Sequence, residues 1–231
     1  MGLLDNGLVC RVRPGIAMTL DSVEPFRAEW ELSNAAALAA SGPLWLALGD
    51  STAQGIGAGR PDLGYVGQLR ARLKARDGAP WRVVNVSRTG ARLRDVTANQ
   101  VGWLDRLPAR PDLVTCAVGA NDVTWRLVLR STLRDLTALL DRLPPGTIVA
   151  TLPQGLAPRR AQVVNAVIRR EAPTRDLVVA DVWAHTGSPR ASKLAPDHFH
   201  PSERGYRDWT TAFAVAVGLD ESGSGAKGTD A

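Results

Sequence analysis

Five short apolar runs punctuate the middle of the chain: Leu44–Leu48, Arg82–Val86, Leu113–Val118, Thr147–Leu152 and Leu177–Val182. They are rich in Val and Leu and do not alternate with polar residues, the pattern of strands covered on both faces. The stretches between them repeat at helical spacing. Val66, Leu69 and Leu73 share one face, and Leu129, Leu133, Leu136, Leu140 and Leu143 recur at steps of four and three. Tyr206, Trp209, Phe213 and Val217 do the same in the last such stretch. Gly78, Pro144, Pro145 and Gly146 supply the stops. Strands that alternate with helices in this way predict an open, five-stranded parallel sheet in a three-layer α/β/α domain of flavodoxin-like type.

That domain is expected over residues 43–219. Residues 1–42 read as a leader with one helix-like stretch, Phe26 to Ala40, and no internal repeat is visible. Residues 220–231 are Gly/Ser-rich, with too little apolar surface to fold, and read as a tail.

Composition narrows the function classes. With 231 residues, 45% of them hydrophobic and 22% charged, the chain can bury a full core without metals or disulfides. A net charge of +5 and a pI near 9.9 raise nucleic acid as a partner. The Arg residues are scattered among Glu and Asp, however, and Arg70, Arg72, Lys74 and Arg76 mark a solvated helix face. No nucleic-acid partner is expected. Cys10 and Cys116 make no disulfide framework; Cys116, inside the third apolar run, reads as a buried small hydrophobe. No apolar run approaches the roughly 20 residues that span a bilayer. Asp5, Asn6, Arg11 and Arg13 break up any secretory signal, so the expectation is a cytoplasmic protein without a membrane anchor.

No Cys, His and carboxylate cluster has metal-ligand spacing, and neither metal nor cofactor is expected. Gly55-Ile-Gly57-Ala-Gly59 lacks the ending of a phosphate loop and the spacing of a dinucleotide fingerprint. It reads as a flexible loop beside the site.

In open parallel sheets ligands bind at the carboxyl ends of the strands. Gly49-Asp50-Ser51-Thr52 follows the first run, Asn85-Val-Ser-Arg-Thr-Gly90 the second and Gly119-Ala-Asn121-Asp122 the third. A longer loop carrying Asp197-His-Phe-His200-Pro201 follows the fifth. Acyl transfer needs a hydroxyl, a base within reach of it, a carboxylate holding the base in one tautomer, and donors aimed at an oxyanion. Histidine suits the base role because its ordinary pKa lies near neutrality. The strand ends supply every part.

The four blocks, in this order, resemble the SGNH hydrolases, the GDSL-type esterases and lipases, from residue 49 to residue 200. The resemblance implies an acyl-serine mechanism on a small-molecule ester. Ser51 would be the nucleophile, and His200 the base, oriented by Asp197. The backbone N–H groups of Ser51 and Gly90 and the amide of Asn121 would form the oxyanion hole. Asp50, Gly119 and Asp122 would hold the turns. Thr52 stands where the family has leucine, and Ser87 where a small residue or glycine is expected.

Blander readings exist for each residue taken alone. Gly-Asp-Ser is good turn chemistry, Asn121 suits the end of a strand, and loop histidines are commonly just solvated. The Asp-x-x-His-Pro context before the final helix selects His200 over His198, and His185 has no motif beside it. The rival readings are an acyltransferase using the same residues and an inactive binding module on the same fold. Short acyl chains are preferred, because no long apolar insertion suggests a lid. Trp103, Trp125 and Trp183 line either a pocket or the core, and oligomeric state is open.

Overall fold

The computed structural model describes residues 17, 19, 21–124, 128–155, 157–188 and 191–219. Cys10, Trp125, most of the leader before the first helix and the 220–231 tail lie outside the described residues.

A helix, α1 (Val23–Ala39), begins three residues before the stretch expected from sequence. The five strands follow as β1 (Leu44–Gly49), β2 (Arg82–Asn85), β3 (Leu113–Ala117), β4 (Ile148–Ala150) and β5 (Val178–Ala180). All neighbours in the sheet pair in parallel, in the order β2-β1-β3-β4-β5. The chain therefore reverses its direction of winding between β1 and β3, and a crevice opens at their carboxyl ends.

Between the strands run α2 (Ser51–Gln54), α3 (Tyr65–Asp77), α4 (Leu93–Asn99), α5 (Ala120–Thr124), α6 (Leu129–Leu140), α7 (Pro158–Glu171), α8 (Val182–His185) and α9 (Glu203–Ala216). Successive residues of β1 point into two different cores. Leu44, Leu46 and Leu48 join Val96, Leu136, Leu140, Val164 and Ile168, under α4, α6 and α7. Trp45 and Ala47 join Leu69, Leu73, Tyr206 and Phe213, under α3 and α9. Those two apolar layers, one on each face, explain why all six β1 residues are buried. Tyr65 stacks on Phe213 with ring centroids 4.5 Å apart, which locks α3 to α9.

The expectation of strands buried on both faces fails at β5. Val178 is 39% exposed, because β5 is an edge strand with only part of one face covered. At the other edge, α1 covers β2. Asn34 donates to the Asn85 carbonyl at 2.8 Å and accepts from the Asn85 N–H at 2.7 Å, taking the place of a further strand. The Arg82 guanidinium closes the α1 C-terminus by donating to the carbonyls of Ala37, Ala40 and Gly42. Among the described residues no helix is long and apolar enough to cross a membrane.

Candidate active site

The Ser51 turn leaves β1 as a short helical segment. Asp50 caps it: its buried carboxylate accepts from the Thr52 N–H at 2.9 Å and the Thr52 hydroxyl at 2.8 Å. Burial pushes the Asp50 carboxyl above the ordinary carboxylate range, against the pull of those Thr52 bonds and of His200. Thr52, at the departure from the family pattern, thus satisfies the carboxylate that holds the turn.

His200 reaches Ser51 from the far end of the chain. Its Nε2 lies 3.0 Å from the Ser51 Oγ, and its Nδ1 lies 2.6 Å from the Asp197 Oδ2. The other Asp197 oxygen accepts from the backbone N–H groups of Phe199 and His200, at 2.9 and 3.0 Å. Burial alone would raise the Asp197 carboxyl; the bonds from His200 and the two N–H groups outweigh it and hold the group below the ordinary range. The loop is closed by Ala195 N–H donating to the His200 carbonyl at 2.8 Å, and by Ser202 N–H donating to Lys193. Ser202 then caps α9 through the Gly205 N–H. His198 sits in this loop, exposed and with φ +57°, and among the described residues it is His200, not His198, that hydrogen-bonds Ser51. His185 ends α8, away from the serine's hydrogen bonds.

Asn121, on α5, lines the same pocket as Ser51 and His200. Its amide nitrogen donates to the Ala91 carbonyl at 2.9 Å; among the described residues the second hydrogen of that nitrogen has no partner. Gly90 precedes Ala91 and lines a neighbouring groove instead of the serine pocket, with φ +79°. The Asp122 carboxylate accepts from the Leu93 N–H at 3.1 Å and so ties α5 to α4. Gly119, at φ +121°, lies directly before α5, where a side chain would press on Leu152.

The expected flexible loop at Gly55–Gly59 is instead packed. Ile56 is fully buried, its carbonyl accepts from the Tyr206 hydroxyl at 2.7 Å, and its N–H donates to Ser51. A Cβ at Gly57 would meet the Pro201 carbonyl oxygen at 2.5 Å and the His200 Cβ at 2.8 Å. The glycine is what lets this segment back directly onto the histidine loop. Trp103 and Trp183 both pack, partly buried, against the apolar layer under α4, α6 and α7.

Gln54 is a functional candidate that the motif reading passed over. It is buried, its backbone carbonyl accepts from the Trp30 indole at 2.9 Å, and its side-chain oxygen accepts from the Thr89 hydroxyl at 2.5 Å. Nothing local in the sequence marks it, since both partners are distant in the chain.

The pocket at Ser51 holds about 630 Å³, its open mouth included, and is mainly apolar, with Pro153, Leu194, Phe199 and Trp209 among its lining. Lys193 and Asp208, both in the lining, pair at 2.7 Å.

The profile of the GDSL-like lipase/acylhydrolase family matches residues 47–207. Solved structures agree. The chain is similar to the lipase Lip_vut3 from a goat rumen metagenome, at 18% identity and TM-score 0.66, over 75% of this chain and 97% of that one. It is similar to LAE5, an alpha/beta hydrolase enzyme from the metagenome of Lake Arreo, Spain, at 26% identity and TM-score 0.61, over 78% and 97%. It also resembles Axe2, an acetylxylan esterase from Geobacillus stearothermophilus, at 26% identity and TM-score 0.58, over 78% and 96%. No curated protein matches the sequence.

Proposed function

The chain belongs to the GDSL-like lipase/acylhydrolase family, whose activity is ester hydrolysis, and we propose that it cleaves carboxylic esters through an acyl-serine intermediate on Ser51. The observation that carries this reading is the unbroken chain Ser51 Oγ–His200–Asp197, with links of 3.0 and 2.6 Å.

The Ser51 hydroxyl attacks the ester carbonyl carbon as its proton passes to His200 Nε2. Asp197 keeps the other ring proton on Nδ1 and stabilises the imidazolium that forms. The carbonyl oxygen, now an oxyanion, takes the Ser51 N–H and an amide hydrogen of Asn121; Gly90, which lines the neighbouring groove, would join them by turning its N–H toward the serine. Collapse breaks the bond to the alcohol oxygen, which leaves with the proton held by His200. Water then repeats the sequence on the acyl-serine, releasing the acid and restoring Ser51. Asp50, Gly119 and Asp122 hold the turns that carry these groups.

The apolar pocket takes the acyl group. The Lys193–Asp208 pair contributes charge to the lining, and short acyl groups are favoured. Acyl transfer to an alcohol uses the same residues and differs only in the acceptor.

The test is hydrolysis of p-nitrophenyl esters from acetate to decanoate by the wild type and by Ser51→Ala. Loss of at least about 10⁴-fold in kcat in the variant, with an optimum at short chains, is the expected result. Equal rates in the two proteins overturn the serine mechanism.

A further inference from the structure

The lining of the mainly apolar serine pocket contains an ion pair that the hydrolytic steps leave unused. Lys193 ends the short 3₁₀ turn Ala191–Lys193 ahead of the histidine loop, and Asp208 lies on α9. The two side chains are 19% and 21% exposed, and Lys193 Nζ meets Asp208 Oδ2 at 2.7 Å. Both are firmly mounted. The Lys193 carbonyl accepts from the Ser202 N–H at 2.9 Å and packs so closely on α9 that Gly205 has no room for a Cβ. A tether between this loop and α9 would be served as well by apolar contacts, which avoid drawing two charges out of water.

Neighbouring polar groups of the pocket are already engaged. The Thr52 hydroxyl donates to Asp50, the Thr186 hydroxyl donates to the Val182 carbonyl, and the Gln154 amide nitrogen donates to the Trp183 carbonyl. The ion pair differs. An ammonium group has three N–H donors. One faces Asp208, and the Gly187 carbonyl, at 3.5 Å, lies at the limit of reach for a second. Among the described residues the third has no partner, and the second Asp208 oxygen accepts no hydrogen bond. The pocket is thus left with a free donor and a free acceptor side by side.

A carboxylate placed there would be repelled by Asp208, and an ammonium by Lys193. A hydroxyl suits both partners, because it accepts from the ammonium and donates to the carboxylate. A methyl group in its place would bury both unpaired, which is how a polar subsite rejects an analogue that lacks the hydroxyl. We propose that Lys193 and Asp208 are specificity-determining residues that select an acyl group carrying a hydroxyl, so that the substrate is an ester of a short hydroxy acid. The proposal rests on the ester-hydrolase reading, with the acyl group in this pocket.

Three ester pairs test it: ethyl lactate against ethyl 2-methylpropanoate, ethyl 3-hydroxybutyrate against ethyl 3-methylbutanoate, and ethyl 4-hydroxypentanoate against ethyl 4-methylpentanoate. Each ratio of kcat/KM is divided by the same ratio for hydroxide, which removes the inductive effect of the hydroxyl. At least one pair is expected to favour the hydroxy ester by about tenfold or more in the wild type, and to fall to about equality in Lys193→Met/Asp208→Leu. Dissociation constants of the same pairs for Ser51→Ala, by ligand-detected NMR, should show the same preference without any turnover. The wild-type ratios and the Ser51→Ala binding leave the ion pair intact, so they decide the matter even where the double variant does not fold. Ratios within about twofold for all three pairs, equal binding by Ser51→Ala, or a preference that persists in the double variant each overturn the hydroxyl subsite. Hydrolysis that survives in Ser51→Ala would instead overturn the serine mechanism and leave the binding result standing.

Discussion

Asp122→Asn should stabilise the protein, and should do so more as the pH rises from about 4 to about 6. The carboxyl is 2% exposed and its burial raises its pKa from 3.8 to about 6, in spite of the Leu93 N–H bond and the Arg92 charge. Between those two values the folded protein binds a proton that the unfolded chain has released. Stability therefore falls with rising pH across this window and levels off above it. An asparagine is neutral throughout and keeps an oxygen to accept from Leu93. A displacement of this size is worth at most about 3 kcal/mol, and partial solvation of the groups around it brings the expected gain to about 1–2 kcal/mol. Urea unfolding of both proteins at several pH values from about 4 to about 8 reads the difference directly. A difference that stays constant across the window refutes the argument: it would mean that Asp122 ionises in the fold as easily as in the unfolded chain.

Other outcomes follow from the same geometry. Gly57→Ala places a Cβ against the Pro201 carbonyl oxygen and the His200 Cβ, at a φ of +96°, and should lower kcat by at least about 10²-fold by displacing the histidine; Gly59→Ala, whose new Cβ meets only Leu63 at 3.8 Å, serves as the matched control and should keep activity. Asp197→Asn keeps an acceptor for the Phe199 N–H but favours the wrong histidine tautomer, so kcat on p-nitrophenyl acetate should fall by about 10²–10⁴-fold with the fold intact by circular dichroism; a loss under tenfold would refute the orienting role. Asn34→Ala removes both bonds to the Asn85 backbone and should cost about 1–3 kcal/mol, read as a drop of several degrees in Tm.

The five strands were legible because each is a short Val/Leu run between helical repeats, and that pattern survives any detail of packing. The strand ends were legible for a related reason: a parallel sheet gathers them on one edge, so Gly49–Ser51, Gly119–Asp122 and Asp197–His200 could be grouped without coordinates. What sequence did not show depends on partners far apart in the chain. Asn34 sits in an Ala-rich helix and becomes meaningful only when it meets Asn85, 51 residues later. Gln54 looks like an ordinary helix residue until Trp30 and Thr89 hold it. Gly55–Gly59 has the composition of a loose loop, and its packing is imposed by Tyr206 and the histidine loop from the other end of the chain. The half-exposed β5 was misread for the opposite reason: its apolar run does not reveal that it is an edge.

The link between Ser51 and His200 spans 149 positions of sequence, and Tyr206 on α9 joins the two ends of the chain again through the Ile56 carbonyl. At a synthesis rate of about 5–20 residues per second, the serine leaves the ribosome roughly 7–30 seconds before its base exists. On the proposed mechanism, a nascent or truncated chain ending before His200 carries an unarmed hydroxyl, harmless to the esters around it. In a refolding experiment, activity would return only with the long-range Ser51–His200 contact, whereas helical circular dichroism can recover before it.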